Sequence, residues 1–385
     1  MTTEEAKKLV LVVDDAPANI RVVNEILHDI YKVKIATSGP KALELANATP
    51  SPDLILLDVV MPEMDGYEVC TRLKAETATR DIPVIFLTGQ TETTDETRGF
   101  EVGAVDYIHK PFSPAVVAAR VHTHLTLRET REQLERQLLA IRAEMETARH
   151  IQMSILPAEV PAIRGLDIAA RYIPMTSVAG DFYDFMVLDE NRIGILVADV
   201  SGHGMPAALI ASMLKVAFAT QADNAADPVR VLTGLNETLY GKFQGHYVTA
   251  AYALIDTEKM TLRYAGAGHP PLLLRDGATG KSRCIVENGL FLGYFPDAKF
   301  AAIEEPFRAG DWLLLYTDGI SEMRDRADEE FGEARLRGFL DDNGSLSAAE
   351  FSNRLLSHLL QWSGRGAEQE PDDDVTLLAV RFQAA

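Results

Sequence analysis

Four aspartates in the carboxyl-terminal part of this 385-residue chain each stand where an apolar run meets a short polar motif. They are Asp181 in AGDFYDF, Asp199 in LVADVSGHG, Asp318 in LLLYTDGISE and Asp373 in PDDDVTLLAV. A carboxylate is costly to bury unless a cation or a set of donors answers it. Several of them at strand ends therefore point to a cluster that holds hard divalent cations through oxygen. Two cations held this way can activate water for phosphoester hydrolysis. Taken singly, each Asp would read as a helix cap or a loop turn, the common role of Asp beside Gly.

A second constellation lies near the amino terminus. Apolar runs at residues 9–13, 54–57 and 84–87 end in Asp14 and Asp15, in Asp58 and in Thr88, and the run at 105–108 leads to Lys110. Three acids, a hydroxyl and a lysine brought together can bind one magnesium ion and accept a phosphoryl group on a carboxylate. Singly, Asp15 would read as a helix cap before Pro17 and Lys110 as a solvated loop charge.

The elements that must position these groups follow from periodicity. In the first 125 residues the apolar runs alternate with amphipathic stretches of helical length, which predicts an α/β doubly wound unit with a parallel sheet. Ligands of such sheets bind at the carboxyl ends of the strands, where the polar residues would gather. Further on, residues 192–198, 312–316 and 375–382 read as strands beside the acidic motifs. Gly202 and Gly204 suit a tight turn into a helix that begins near Met205 and packs through Ala208, Ile210, Ala211 and Leu214.

Between the two constellations, residues 115–156 contain neither Gly nor Pro. Leu127, Leu134, Leu138, Ile141, Met145 and Ala148 recur at heptad spacing, with Arg131 at the missing seam position. Arg128 with Glu132, Arg131 with Glu135 and Glu132 with Arg136 are four apart, so opposite charges support the exposed faces. The expectation is a parallel dimeric coiled coil over 113–156; one helix packed on its own domain would show the same stripe. Pro157 and Pro161 end it.

In order and with their neighbours, the four acidic motifs resemble the metal-dependent serine/threonine phosphatases of the 2C (PPM) type, and more narrowly their bacterial SpoIIE/RsbU branch. The resemblance runs from about Gln152 to Phe382, and ARHIQMSILP at 148–157 is similar to the segment that opens such domains. It implies an α+β fold, a β-sandwich flanked by helices with two manganese or magnesium ions at one end. Asp199 would bridge both metals and the Val200 carbonyl would ligate one. Asp318 and Asp373 would complete one shell, and Asp181 would help hold the metals or their waters; Asp184 and Asp374 match the pattern less closely. Ser201 stands where eukaryotic relatives have a histidine, so no acid role transfers to His203. No arginine matches their phosphate-binding residue, which leaves substrate phosphate to the metals.

The first 125 residues resemble a two-component receiver domain of flavodoxin-like fold. The resemblance implies Asp58 as phosphoacceptor, Asp14 and Asp15 as the acidic pair, and Asp15, Asp58 and the Val60 carbonyl around Mg2+. Thr88 and Lys110 would contact the phosphoryl oxygens, and Tyr107 takes the place of the aromatic switch residue. Gly89 stands where the family more often has Ala or Ser, and a cis peptide is plausible at Lys110–Pro111.

Length and composition agree with a multidomain reading: a receiver at 1–125, a linker helix at 113–156 and a phosphatase domain at 152–385. An apolar content of 47% supplies two cores. A formal charge of −20 argues against general nucleic-acid binding, which needs a basic footprint. Residues 1–8 are polar and no apolar run is long enough to span a membrane, so the expectation is a cytoplasmic protein. Two distant cysteines, Cys70 and Cys284, are expected to be reduced. The acidic stretch 325–333 reads as solvated surface or as a flap beside the Asp318 motif. The resemblances together imply a response regulator that receives phosphate from a sensor histidine kinase or phosphotransfer protein. Its output would be dephosphorylation of a phosphoserine or phosphothreonine protein, a STAS-domain anti-sigma factor antagonist. A receiver-controlled binding module without turnover is the alternative.

Overall fold

The computed structural model describes residues 7–89, 99–243, 245–364 and 371–384, so most of the polar stretch 1–8 lies outside it. The chain divides into two compact units, 1–141 and 142–385.

In the amino-terminal unit the strands are β1 (Leu9–Val13), β2 (Lys32–Ala36), β3 (Leu54–Asp58), β4 (Val84–Thr88) and β5 (Asp106–His109). They form one sheet in the order β2-β1-β3-β4-β5, and every pairing is parallel. Helices α1 (Pro17–Leu27), α2 (Gly39–Ala46) and α3 (Gly66–Ala75) make the crossovers among the described residues. The central strands β1 and β3 are buried on both faces. Their side chains alternate between two cores: Leu11, Val13, Ile55 and Leu57 face one side, and Val10, Val12, Leu54 and Leu56 the other. Burial on both faces is why these strands read as unbroken apolar runs.

Helix α4 (Pro114–Ile155) begins after β5 and runs for 42 residues. Along it Leu127, Leu134, Leu138 and Ile141 are exposed in the single chain. Arg128 and Arg131 pair with Glu132 and Glu135 at 2.8 Å each. The third expected pair differs: Arg136 donates to the Glu132 backbone carbonyl, because Arg128 already occupies the Glu132 carboxylate.

The carboxyl-terminal unit is a two-sheet sandwich. One sheet holds β7 (Phe182–Val187), β8 (Arg192–Val200), β9 (Val248–Asp256), β10 (Thr261–Ala267) and β13 (Asn288–Gly289), with β14 (Ile303–Pro306) also on β10. The other runs β12 (Ser282–Ile285), β11 (Leu272–Arg275), β15 (Trp312–Tyr316), β16 (Val375–Phe382) and β6 (Leu166–Ile173). Period-two alternation divides β15 and β16 between layers. Leu313, Leu315, Leu378 and Val380 join the core between the sheets. Trp312, Leu314, Leu377 and Ala379 pack with Leu336, Leu340, Phe351 and Leu355 of helices α8 (Gly332–Asn343) and α9 (Ala348–Ser363). On the first sheet lie α5 (Met205–Ala219) and α6 (Pro228–Leu239), and the short α7 (Asp318–Ser321) follows β15. The α5 residues expected to face inward, Ala208, Ile210, Ala211 and Leu214, are buried, and Gly202 and Gly204 have φ of +88° and +76°.

Candidate active site and phosphoacceptor site

Parallel order brings the ends of β1, β3, β4 and β5 side by side, and with them Asp14, Asp15, Asp58, Thr88 and Lys110. The Lys110 ammonium lies 2.8 Å from both Asp14 Oδ2 and Asp58 Oδ1. Asp14 and Asp58 are buried and Asp15 is exposed, yet oxygens of all three lie within 4.8 Å of one another. Burial raises the Asp58 pKa and the Asp14 charge adds to this, while Lys110 and the Val60 backbone N–H oppose it. Such a trio suits a small hard cation, whose charge would offset the repulsion. The Thr88 hydroxyl turns to the Gly89 carbonyl at 3.0 Å. Tyr107 is buried and packs on Phe86 and Phe100, and the Lys110–Pro111 peptide is cis. Asn19 had no signal in the sequence, yet its amide donates to both Asp14 oxygens at 3.0 Å.

In the sandwich both sheets deliver acids to one neighbourhood. Asp199 lies within β8, opposite Thr249 of β9, and Asp181 immediately precedes β7, the other neighbour of β8. Asp318 follows β15 by two residues, and Asp373 precedes β16, which pairs with β15. Burial, followed by the charges of Asp318, Asp373, Asp374 and Glu322, pushes the Asp199 pKa up to about 8. Burial, Asp373 and Glu322 push Asp318 up to about 6. An open cavity of about 200 Å³ is lined by Gly319, Glu322, Met323, Arg324, Asp372 and Asp373.

Asp181 is enclosed by its neighbours. It is 2% exposed, and its Oδ2 accepts hydrogen bonds from the Thr317 and Thr376 hydroxyls at 2.7 and 2.5 Å. Burial and the charges of Asp199 and Asp374 still raise its pKa well above the carboxylate range. The Asp374 oxygens accept from the backbone N–H groups of Met175 and Gly180 at 2.7 and 2.6 Å. Asp184 pairs with Lys215 at 2.8 Å. His203 is exposed.

The four principal aspartates influence one another electrostatically without forming a tight cage. Among the described residues, the only three acidic groups with oxygens all within 4.8 Å are Asp14, Asp15 and Asp58. The wider spacing has a structural cause: Asp199 and Asp318 come from different sheets, and the two threonines hold Asp181. An all-oxygen set in which burial and neighbouring acids raise the pKa of Asp181, Asp199 and Asp318 remains the donor chemistry that hard divalent cations match, with water completing their shells.

The Stage II sporulation protein E (SpoIIE) family model matches residues 189–383, and the response regulator receiver domain model matches 10–122. The chain belongs to the SpoIIE phosphatase family and carries a receiver domain. Phosphoserine phosphatase RsbU of Bacillus subtilis is 30% identical over 67% of this chain and 73% of its own length. A probable cyclic di-GMP phosphodiesterase of Vibrio cholerae is 49% identical over 123 residues; the match spans 32% of this chain and only 28% of that protein. The SiaA-PP2C domain of Pseudomonas aeruginosa superposes with a TM-score of 0.57 at 23% identity, over 64% of this chain and 99% of that domain, which shows the shared fold. The expected multidomain architecture, a parallel α/β receiver followed by a long helix and a β-rich phosphatase domain, is therefore borne out. No helix among the described residues is long and apolar enough to cross a membrane.

Proposed function

We propose that this SpoIIE-family phosphatase is a response regulator whose receiver, phosphorylated at Asp58 by a histidine kinase or phosphotransfer protein, controls metal-dependent dephosphorylation of a phosphoserine or phosphothreonine protein. The observation that carries the catalytic half is the joint elevation of Asp199, Asp318 and Asp181 where two sheets bring their acids together. Burial is the larger cause and the clustered like charges add to it, whereas an opposite charge beside a carboxylate would lower its pKa. Asp199, the Val200 carbonyl, Asp318 and Asp373 would hold one or two Mn2+ or Mg2+ ions, and Asp181 would stand behind them. Bound there, the cations supply Lewis acidity and lower the pKa of water. The protein's own part is to keep the carboxylates ionised around them, with Thr317 and Thr376 fixing Asp181.

In the receiver, Asp58 would accept the phosphoryl group, and Asp14, Asp15, Asp58 and the Val60 carbonyl would hold the Mg2+ that offsets its charge. Lys110, already 2.8 Å from Asp58, is placed to meet the phosphoryl oxygens together with Thr88, and Tyr107 reports the change. The exposed heptad stripe of α4 pairs with its copy in a homodimer. Likeness to RsbU favours a STAS-domain anti-sigma factor antagonist as substrate. A binding module without turnover is the second reading, favoured by the absence of a three-carboxylate cage among the described phosphatase residues. Manganese-dependent hydrolysis of an aryl phosphate and of a phosphoserine protein decides between them. Turnover should vanish in Asp199→Ala and Asp318→Ala; hydrolysis that persists in these variants overturns the site, and none by folded protein under any metal or receiver state leaves the binding module.

A further inference from the structure

Gln152 lies in the last turn of α4, between two exposed apolar neighbours, Ile151 and Met153. Its own side chain is 5% exposed, and both ends of its amide bond to the backbone of Ala179. The amide Nε2 donates to the Ala179 carbonyl at 2.6 Å, and Oε1 accepts from the Ala179 N–H at 3.0 Å. Both ends of a buried primary amide are thus satisfied by one backbone residue, as a paired strand would satisfy it. Leu156, the first residue after α4, is buried in the sandwich core.

Ala179 is two residues before Asp181. The next residue, Gly180, donates its N–H to Asp374, and a Cβ there would come within 2.8 Å of the Val200 carbonyl. The segment 179–181 is therefore threaded between the end of α4, the end of β8 and the Asp374 carboxylate, with little room to shift. We infer that Gln152 is a positioning residue: it couples the rotational setting of α4 to the placement of Asp181, and so carries the receiver's signal into the phosphatase site. Successive helix residues differ by about 100°. A turn of that size would replace Gln152 by Ile151 or Met153, neither of which can bond to Ala179.

The inference rests on the proposed regulation by Asp58, and its test can fail independently of it. Hydrogen exchange is followed in residues 174–181 of the full chain, with Mg2+ and with or without beryllofluoride as phosphoryl mimic. In the unsubstituted protein the mimic should change exchange in this segment. In Gln152→Leu, exchange there should be roughly tenfold faster, as expected when a buried hydrogen bond closing a local opening is lost, and no longer respond to the mimic. Gln152→Glu, which keeps an acceptor for the Ala179 N–H but turns an oxygen on its carbonyl, should lose the response as well. The calorimetric Mn2+ affinity should fall in both variants. An unsubstituted segment indifferent to beryllofluoride, or variants that respond as the unsubstituted protein does, would overturn the inference. If exchange behaves as expected while no phosphate is released, the coupling stands and the catalytic reading falls.

Discussion

Replacing Asp199 by Asn should make the chelator-treated protein more stable and, in the same step, remove its response to manganese. Burial and neighbouring carboxylates raise the Asp199 pKa from its ordinary 3.8 to about 8. Between those values the folded chain holds a proton that the unfolded chain has released, so stability falls as pH rises through this window. At pH 7 the gap from 3.8 amounts to roughly 4 kcal/mol, at about 1.36 kcal/mol for each pH unit. An amide carries no such cost. For a domain of this size roughly 4 kcal/mol corresponds to a rise on the order of 10 °C in the melting temperature. The assay is thermal unfolding in EDTA at pH 7 and again near pH 4, followed by manganese addition at pH 7. The gain should shrink toward pH 4, where the unfolded carboxylate is also half protonated. Manganese at a hundredfold excess over its Kd should stabilise the unsubstituted protein by about 2.7 kcal/mol and Asp199→Asn far less. A variant that melts below the unsubstituted protein in EDTA at pH 7, or that manganese stabilises equally, refutes the reasoning.

Thr376→Val deletes a donor to Asp181 and leaves a buried carboxyl oxygen less well answered, which costs about 1–2 kcal/mol; titration calorimetry should show manganese affinity falling on the order of tenfold, and an unchanged Kd would count against a role for Asp181. Beryllofluoride should raise the initial rate of aryl phosphate hydrolysis, and Asp58→Asn should abolish that response; a rate lowered by the mimic would reverse the proposed sign. Leu134→Glu combined with Leu138→Glu places charge on the exposed α4 stripe, so light scattering at micromolar concentration should show monomer where the unsubstituted protein shows dimer. A monomeric unsubstituted protein would remove the coiled coil.

Much of the fold could be read from residue order because burial on two faces leaves a plain signature. The runs at 9–13, 54–57, 312–316 and 375–382 are strands or most of one. Boundaries shifted where pairing continued past the apolar residues: β8 reaches Val200 because Asp199 and Val200 pair with Thr249 and Val248. The residues that hold the acids were not legible. Asn19, Thr317, Thr376 and Gln152 are ordinary polar residues until the chain puts Asp14, Asp181 and Ala179 beside them. Asp374 resembles its neighbour Asp373 in sequence, and only the two amides that it accepts distinguish its work.

Residue types and their order sufficed for the two units and for the acids each would bring together, since local patterning sets strands, turns and acidic termini before any long-range contact forms. Distances and charge states came only with the packed sheets. A carboxylate's pKa depends on what burial and neighbouring strands place around it, and groups as far apart as Asp181 and Thr376 become partners at 2.5 Å only when β7 and β16 are fixed in their layers.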